Sequence, residues 1–222
     1  MPAATARAAS PATSLDTCTD CPRLADFLAE VRHTHPDYHA RPVLPFGDPM
    51  AQLLIVGLAP GMHGANRTGR PFTGDHAGIL LYDTLHRYGF ASRPVSISKD
   101  DGLQLLNCRI TNAVKCLPPQ NKPQPPEIRT CNRYLAEELR SAPETRVIIA
   151  LGNVAHGAIL RALELKPATF AFAHGARHAL PDGRILIDSY HCSRYNTQTK
   201  RLTAAGFAAI FDLASRELEQ AC

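Results

Sequence analysis

The chain has 222 residues, 45% apolar and 20% charged, with a formal net charge of +4. Those values fit a folded chain of one domain and exclude global disorder. No apolar run approaches the roughly 18 residues of a membrane span, and the leading "MPAATARAASPATSL" lacks the apolar stretch of a secretory signal. Residues 1–14 read as a flexible lead, residues 15–222 as a single domain, and the cytoplasm as the default location. The mild positive charge permits a nucleic-acid partner without requiring one.

In chain order, "CTDCPRLADFLAEVRHTHPD" reads as a short cysteine loop running into a helix that ends near Pro36. "LLIV" at Leu53–Val56 is a buried strand, short, apolar and followed by glycine. Ala77, Leu81, Leu85 and Tyr88 recur at helical spacing, and Gly89 is the stop. "RITNAVKC" is strand-like, and the five prolines of "LPPQNKPQPPE" require a loop. Ile128, Cys131, Leu135 and Leu139 mark the next helix face. "VIIALG" is a second buried strand, "NVAHGAILRAL" a helix, and "GRILIDSYH" a further strand. Phe207, Ile210, Phe211, Ala214 and Leu218 form the inner stripe of a terminal helix. Alternating strands and helices predict an α/β fold, a mostly parallel sheet with helices on both faces. Ligands of such sheets bind beyond the carboxyl ends of the strands. Gly57–Asp75, Asn112–Cys116 and His191–Thr203 are the polar segments expected there.

Seven cysteines in a reducing compartment point to metal ligation before disulfides. Cys18 and Cys21 form a C-x-x-C pair, and Cys116 and Cys131 a second pair across a proline-rich loop. Four thiolates suit tetrahedral zinc or an iron–sulfur cluster, and the wide second loop favours the cluster. A lone redox C-x-x-C with two core cysteines is the competing reading, since Cys131 lies on an apolar helix stripe. Between Ser189 and Ile210 there is no acid, while Arg194, Lys200 and Arg201 lie there among hydroxyls and amides. Such a segment is either a solvated surface or a phosphate-contacting one.

The stretch "GLAPGMHGANRTGRPFTGD", Gly57–Asp75, carries five glycines in nineteen residues. With "TNAVKC", its "PPQNKP" sequel and "HCSRYNTQT", it resembles the uracil-DNA glycosylase superfamily. The four cysteines and Leu58 in the first motif are similar to family 5, the B-type enzymes. The likeness runs from Cys18 to about Thr203. It implies a three-layer α/β/α sandwich around a four-stranded, mostly parallel sheet. It also implies a [4Fe-4S] cluster on Cys18, Cys21, Cys116 and Cys131, and excision of deaminated bases from DNA. A monomer is expected.

A base is inaccessible inside the stacked duplex and must be flipped into a pocket. Gly57, Leu58, Ala59 and Gly61 would let the main chain approach that base and its phosphates. Phe72 would stack on its face, or else cap the sheet as a core residue. Asn112 has the donor and acceptor that match uracil's pairing edge. His191 matches the histidine of the family's second motif; as a neutral imidazole it would donate an N–H to charge developing on the base. Leu58 cannot position water, which leaves Asp75 as the motif's carboxylate. Aspartate directly before a helix is equally an N-cap, and one residue could serve both ends. Asn66, Arg67 and Arg70 are assigned to DNA phosphates or to bracing the loop. Arg194, Tyr195, Asn196 and Thr197 are assigned to a loop pressed into the duplex, with Tyr195 as the wedge. No lysine reads as a Schiff-base nucleophile, so a monofunctional hydrolase is expected. The rival is a non-catalytic iron–sulfur or zinc module that only binds nucleic acid. A phosphate-cradling hydrolase is disfavoured, because the G-x-x-x-x-G-K-[ST] order is absent.

Overall fold

The computed structural model describes residues 14–220, so all of the N-terminal lead but Ser14 lies outside the described residues. Six strands form one sheet: β1 (Phe46–Gly47), β2 (Leu53–Gly57), β3 (Cys108–Asn112), β4 (Val147–Leu151), β5 (Arg177–Ala179) and β6 (Ile185–Ser189). Their order is β1-β3-β2-β4-β6-β5. The inner four are parallel, as the alternation of elements predicts, and the short edge strands β1 and β5 run antiparallel to them. The sheet is therefore six-stranded rather than four-stranded; the additions are two and three residues long.

β2 and β4 are buried along their whole length, which is why they read as unbroken apolar runs. On one face pack α3 (His76–Arg87) and α7 (Ala204–Glu219), whose Phe207, Ile210, Phe211, Ala214 and Leu218 are all buried. On the other pack α4 (Pro125–Arg140) and α5 (Asn153–Ala162). α1 (Pro22–Thr34) covers a third apolar cluster beside Cys116, Leu117 and Cys131. The chain leaves β2 towards α3 and leaves β4 towards α5, on opposite faces. The switch point between these neighbours opens a crevice at their carboxyl ends.

Two local expectations shift. "RITNAVKC" is strand only to Asn112; Ala113 and Val114 then bond the carbonyls of Gly57 and Leu58, and the chain turns away. The prolines Pro125 and Pro126 belong to the first turn of α4, where a missing N–H costs nothing. The sheet also carries a buried charge network that pattern alone does not reveal. Asp188 of β6, 0% exposed, bonds His156 Nδ1 at 2.7 Å and His178 Nε2 at 3.1 Å. His156 Nε2 faces the Phe170 carbonyl at 2.9 Å, so both its nitrogens meet acceptors and both must donate. Burial works against that charge, but the bonds to Asp188 and Phe170 raise the His156 pKa overall. The 2.7 Å contact suits a bridging proton better than a zinc ion, whose neighbouring ligands stand about 3.3 Å apart.

Candidate active site

The three polar segments meet at the crevice. Gly57 ends β2, Asn112 ends β3 in register beside it, and His191 follows β6 by two residues. Gly57 leads into a loop holding one short turn, α2 (Ala65–Thr68), closed by Gly69 in the left-handed region. Phe72 follows with φ +53°, a conformation that costs a bulky L-residue about 1–2 kcal/mol. Asp75 then caps α3, its Oδ1 accepting the Gly78 N–H at 3.1 Å.

Leu58, Ala59, Gly61, Phe72, Asp75, Asn112, His191 and Arg194 line one cavity of about 400 Å³. A larger groove of about 1060 Å³ opens beside it, sharing Asp75, His76 and Arg194 and bordered by the exposed Ile79 and Val95. That groove is not lined by Phe72, Asn112 or His191, so the convergent polar groups belong to the smaller cavity. Inside it the His191 ring stacks on Phe72, with centroids 5.7 Å apart and planes 28° from parallel. Burial lowers the His191 pKa to about 4, so the imidazole is neutral at neutral pH. Asn112 is buried, and its Oδ1 has no hydrogen-bond partner among the described residues. Burial raises the Asp75 pKa, and the Gly78 and Ala77 N–H bonds offset this only in part.

The glycines serve the site's own side chains. A Cβ on Gly57 would lie 2.6 Å from Phe72 Cζ and would also strike Asn112 Oδ1. One on Gly64 would lie 2.6 Å from the Asp75 Cγ. The side-chain-free surface therefore seats Phe72, Asn112 and Asp75 against main chain, before any ligand arrives.

Not every residue assigned to DNA faces outward. Arg70 is 4% exposed; it pairs with Asp101 at 2.8 Å and donates to the Lys99 carbonyl at 2.6 Å, so it is a structural cation and cannot reach a phosphate. Asn66 is fully buried, because α2 turns it inward, and it too is removed from the DNA-facing set. Arg67 is exposed and braces the loop through the His63 carbonyl. The segment after His191 forms a short helix, α6 (Arg194–Gln198), capped by Ser193. Arg194 and Tyr195 are exposed on it, Tyr195 by 70%. Asn196 instead donates to the His191 carbonyl at 2.8 Å, and Thr197 bonds His76 Nε2 at 3.0 Å. Sequence reasoning missed Asn121, which lines the cavity from the proline-rich loop. Its φ of +56° is a conformation asparagine tolerates, and "NK" between prolines was the only signal.

Cys18, Cys21, Cys116 and Cys131 surround a separate small cavity. Cys21 precedes α1, Cys131 lies on α4, and Cys116 follows the turn after β3. Burial, reinforced by the neighbouring cysteines, raises Cys21 to about 11 and Cys116 to about 12; a cation among them would reverse that. The Lys115 N–H donates to Cys131 Sγ at 3.3 Å and Arg133 to Cys18 Sγ at 3.8 Å, as suits anionic sulfur. His156, His178 and Asp188 are the one set of three such groups, among the described residues, with ligand atoms all within 4.8 Å.

Residues 44–214 match the family model described as the uracil DNA glycosylase superfamily. A type-5 uracil-DNA glycosylase of Thermus thermophilus is 48% identical over 208 residues, 91% of this chain and 94% of that one. Those of Mycobacterium leprae and Pyrobaculum aerophilum are 44% and 40% identical, over 89% and 90% of this chain and 90% and 88% of theirs.

Proposed function

Because the chain belongs to the uracil DNA glycosylase superfamily, we propose that the cavity receives one uracil flipped out of DNA and that the enzyme hydrolyses its N-glycosidic bond. The observation that carries this reading is the convergence of Phe72, Asn112, Asp75 and His191 on a single cavity. The uracil ring lies against Phe72, and Asn112, whose Oδ1 lacks a protein partner, takes its pairing edge. As the bond breaks, negative charge grows on the base and positive charge on the sugar. His191, neutral and stacked on Phe72, donates an N–H towards the carbonyl that gathers electron density. Asp75 uses one oxygen to cap α3 and offers its charge to the oxocarbenium-like sugar, with Asn121 on the same cavity wall set. Water adds to the anomeric carbon, and the base leaves with a proton. At about 400 Å³ the cavity is roomier than a pyrimidine needs, so hypoxanthine and xanthine are further substrates. Arg67, Arg194 and Tyr195 face the duplex, and the protein acts as a cytoplasmic monomer; among the described residues no helix is long and apolar enough to cross a membrane.

The test is base release from oligonucleotides carrying uracil, hypoxanthine or xanthine. Free base and an alkali-labile site are expected from each. Intact strands with fully metal-loaded protein, or tight binding of damaged DNA without release, would reject the reading.

The cysteines hold a [4Fe-4S] cluster in this reading, supported by four sulfurs around one cavity with two N–H donors aimed at them. Bound there, it supplies iron–thiolate bonds that tie the start of α1 to α4 and the turn after β3. Purified protein is expected to absorb broadly in the visible and to hold about four irons and four acid-labile sulfides. Replacing Cys116 with serine should lower the melting temperature before it alters the chemistry. One zinc and no sulfide would overturn the assignment.

A further inference from the structure

The most strained point of the site is Phe72, an aromatic residue with φ +53°. Its flanking residues are tied on both sides. The Arg70 guanidinium donates to Ser96 Oγ at 2.9 Å, to Asp101 Oδ1 at 2.8 Å and to the Lys99 carbonyl at 2.6 Å, and it lies 4.4 Å above the Phe46 ring. The Pro71 carbonyl accepts the buried Tyr82 hydroxyl at 2.9 Å. Thr73 Oγ1 meets Ser96 Oγ at 2.7 Å, and the Thr73 carbonyl accepts Thr68 Oγ1 at 3.2 Å. The Phe72 carbonyl itself fills the space a Cβ on Gly78 would need.

The loop that holds Arg70 is itself held by one carboxylate. Asp101 accepts the N–H groups of Ile97, Ser98 and Leu103 in addition to Arg70. Its pKa falls far below the usual range: burial opposes ionisation, but these bonds outweigh it. The loop thus carries Ser96 at a fixed position between Arg70 and Thr73. Residues 70, 71 and 73 are each held by these bonds, which oppose a departure of Phe72 from the left-handed region.

We infer that Arg70, Ser96 and Tyr82 form a clamp that positions Phe72, and that this clamp sets how closely the flipped base is seated against His191 and Asn112. They are positioning residues; none of them lines the base cavity. Relaxation of the turn would tilt the Phe72 ring from its 28° stack on His191 and widen the slot in which the base lies. A displacement near 1 Å at a reacting centre costs on the order of 100-fold in rate.

The inference rests on the glycosylase reading. Wild-type release of uracil is the control that separates the two: no release from the wild type defeats the reading, whereas release with unaffected clamp variants defeats the inference alone. Tyr82→Phe and Ser96→Ala each remove one oxygen and little volume. Each is expected to slow single-turnover uracil release about tenfold, with the affinity for uracil-containing DNA little changed and the melting temperature lowered by about 2–12 °C for the lost hydrogen bond. In a Phe72→Ala background, itself slower by about 5- to 150-fold from the lost stack, either clamp change should matter by less than about twofold. A purely structural role would slow both backgrounds equally, and that result, or wild-type rates in both single variants, would overturn the clamp.

Discussion

Gly57→Ala is expected to cut base release about 100-fold while the protein remains folded. The added Cβ falls 2.6 Å from Phe72 Cζ and against Asn112 Oδ1, and neither neighbour has a way out. The Phe72 ring is stacked on His191, and Asn112 ends a buried strand. Gly57 itself is not in the left-handed region, so alanine brings no backbone penalty. The whole effect is therefore a shift of ring and amide by about 1 Å, the scale at which positioning is lost. Overpacking of this kind costs about 1–3 kcal/mol, or about 2–12 °C of melting temperature for a chain of this size. Single-turnover kinetics beside a thermal melt separates the two effects. Wild-type rates would show that the contact of Gly57 with Phe72 and Asn112 has no part in seating the base.

His191→Ala is expected to lower the single-turnover rate about 100- to 1,000-fold, the value of one well-placed donor to a developing anion. DNA affinity should change little, because the ring faces the cavity and not the duplex. The pH dependence carries a second, independent signature. Burial depresses His191 to about 4, so it gains no proton across the working range and adds no acid limb above that value. The acid limb of the rate belongs to Asp75, whose pKa burial raises: activity should fall as pH drops through that raised value, and Asp75→Asn should flatten the profile at a low rate. For stability the sign is opposite to the usual paired histidine. The folded protein refuses a proton that the unfolded chain accepts, so stability is full above the ordinary histidine pKa and is lost as pH falls towards about 4. His191→Ala should remove that loss and make the inactive protein more acid-resistant. A limb that survives Asp75→Asn would contradict the assignment.

Much of this architecture was legible in the amino-acid order. β2, β4 and the α7 stripe could be read because their burial is complete, which leaves a pattern that polar substitution would interrupt. The glycine-rich stretch, Asn112 and His191 could be placed at strand ends because a parallel sheet must present those ends together. Side-chain direction was not legible. Arg70 turns inward because Asp101, 31 positions away, offers a carboxylate to a buried cation, and no local pattern encodes that partner. Asn196 is likewise turned by its bond to the His191 carbonyl, and Asn66 is buried although neither of its amide atoms has a hydrogen-bond partner among the described residues. β1 and β5 are too short for any periodicity. The sequence assigns Gly57 and Gly61 to close approach of the flipped base and its phosphates; that Gly57 and Gly64 also make room for Phe72, Asn112 and Asp75 is something only distances can show.

A crystal structure of the protein with free uracil tests the arrangement most directly. The base should lie flat against Phe72, with its pairing edge on the Asn112 amide and a carbonyl oxygen within hydrogen-bond reach of the His191 ring. Uracil lodged in the neighbouring groove along Ile79 and Val95, with the Phe72–Asn112–His191 cavity left unoccupied by it, would contradict the account.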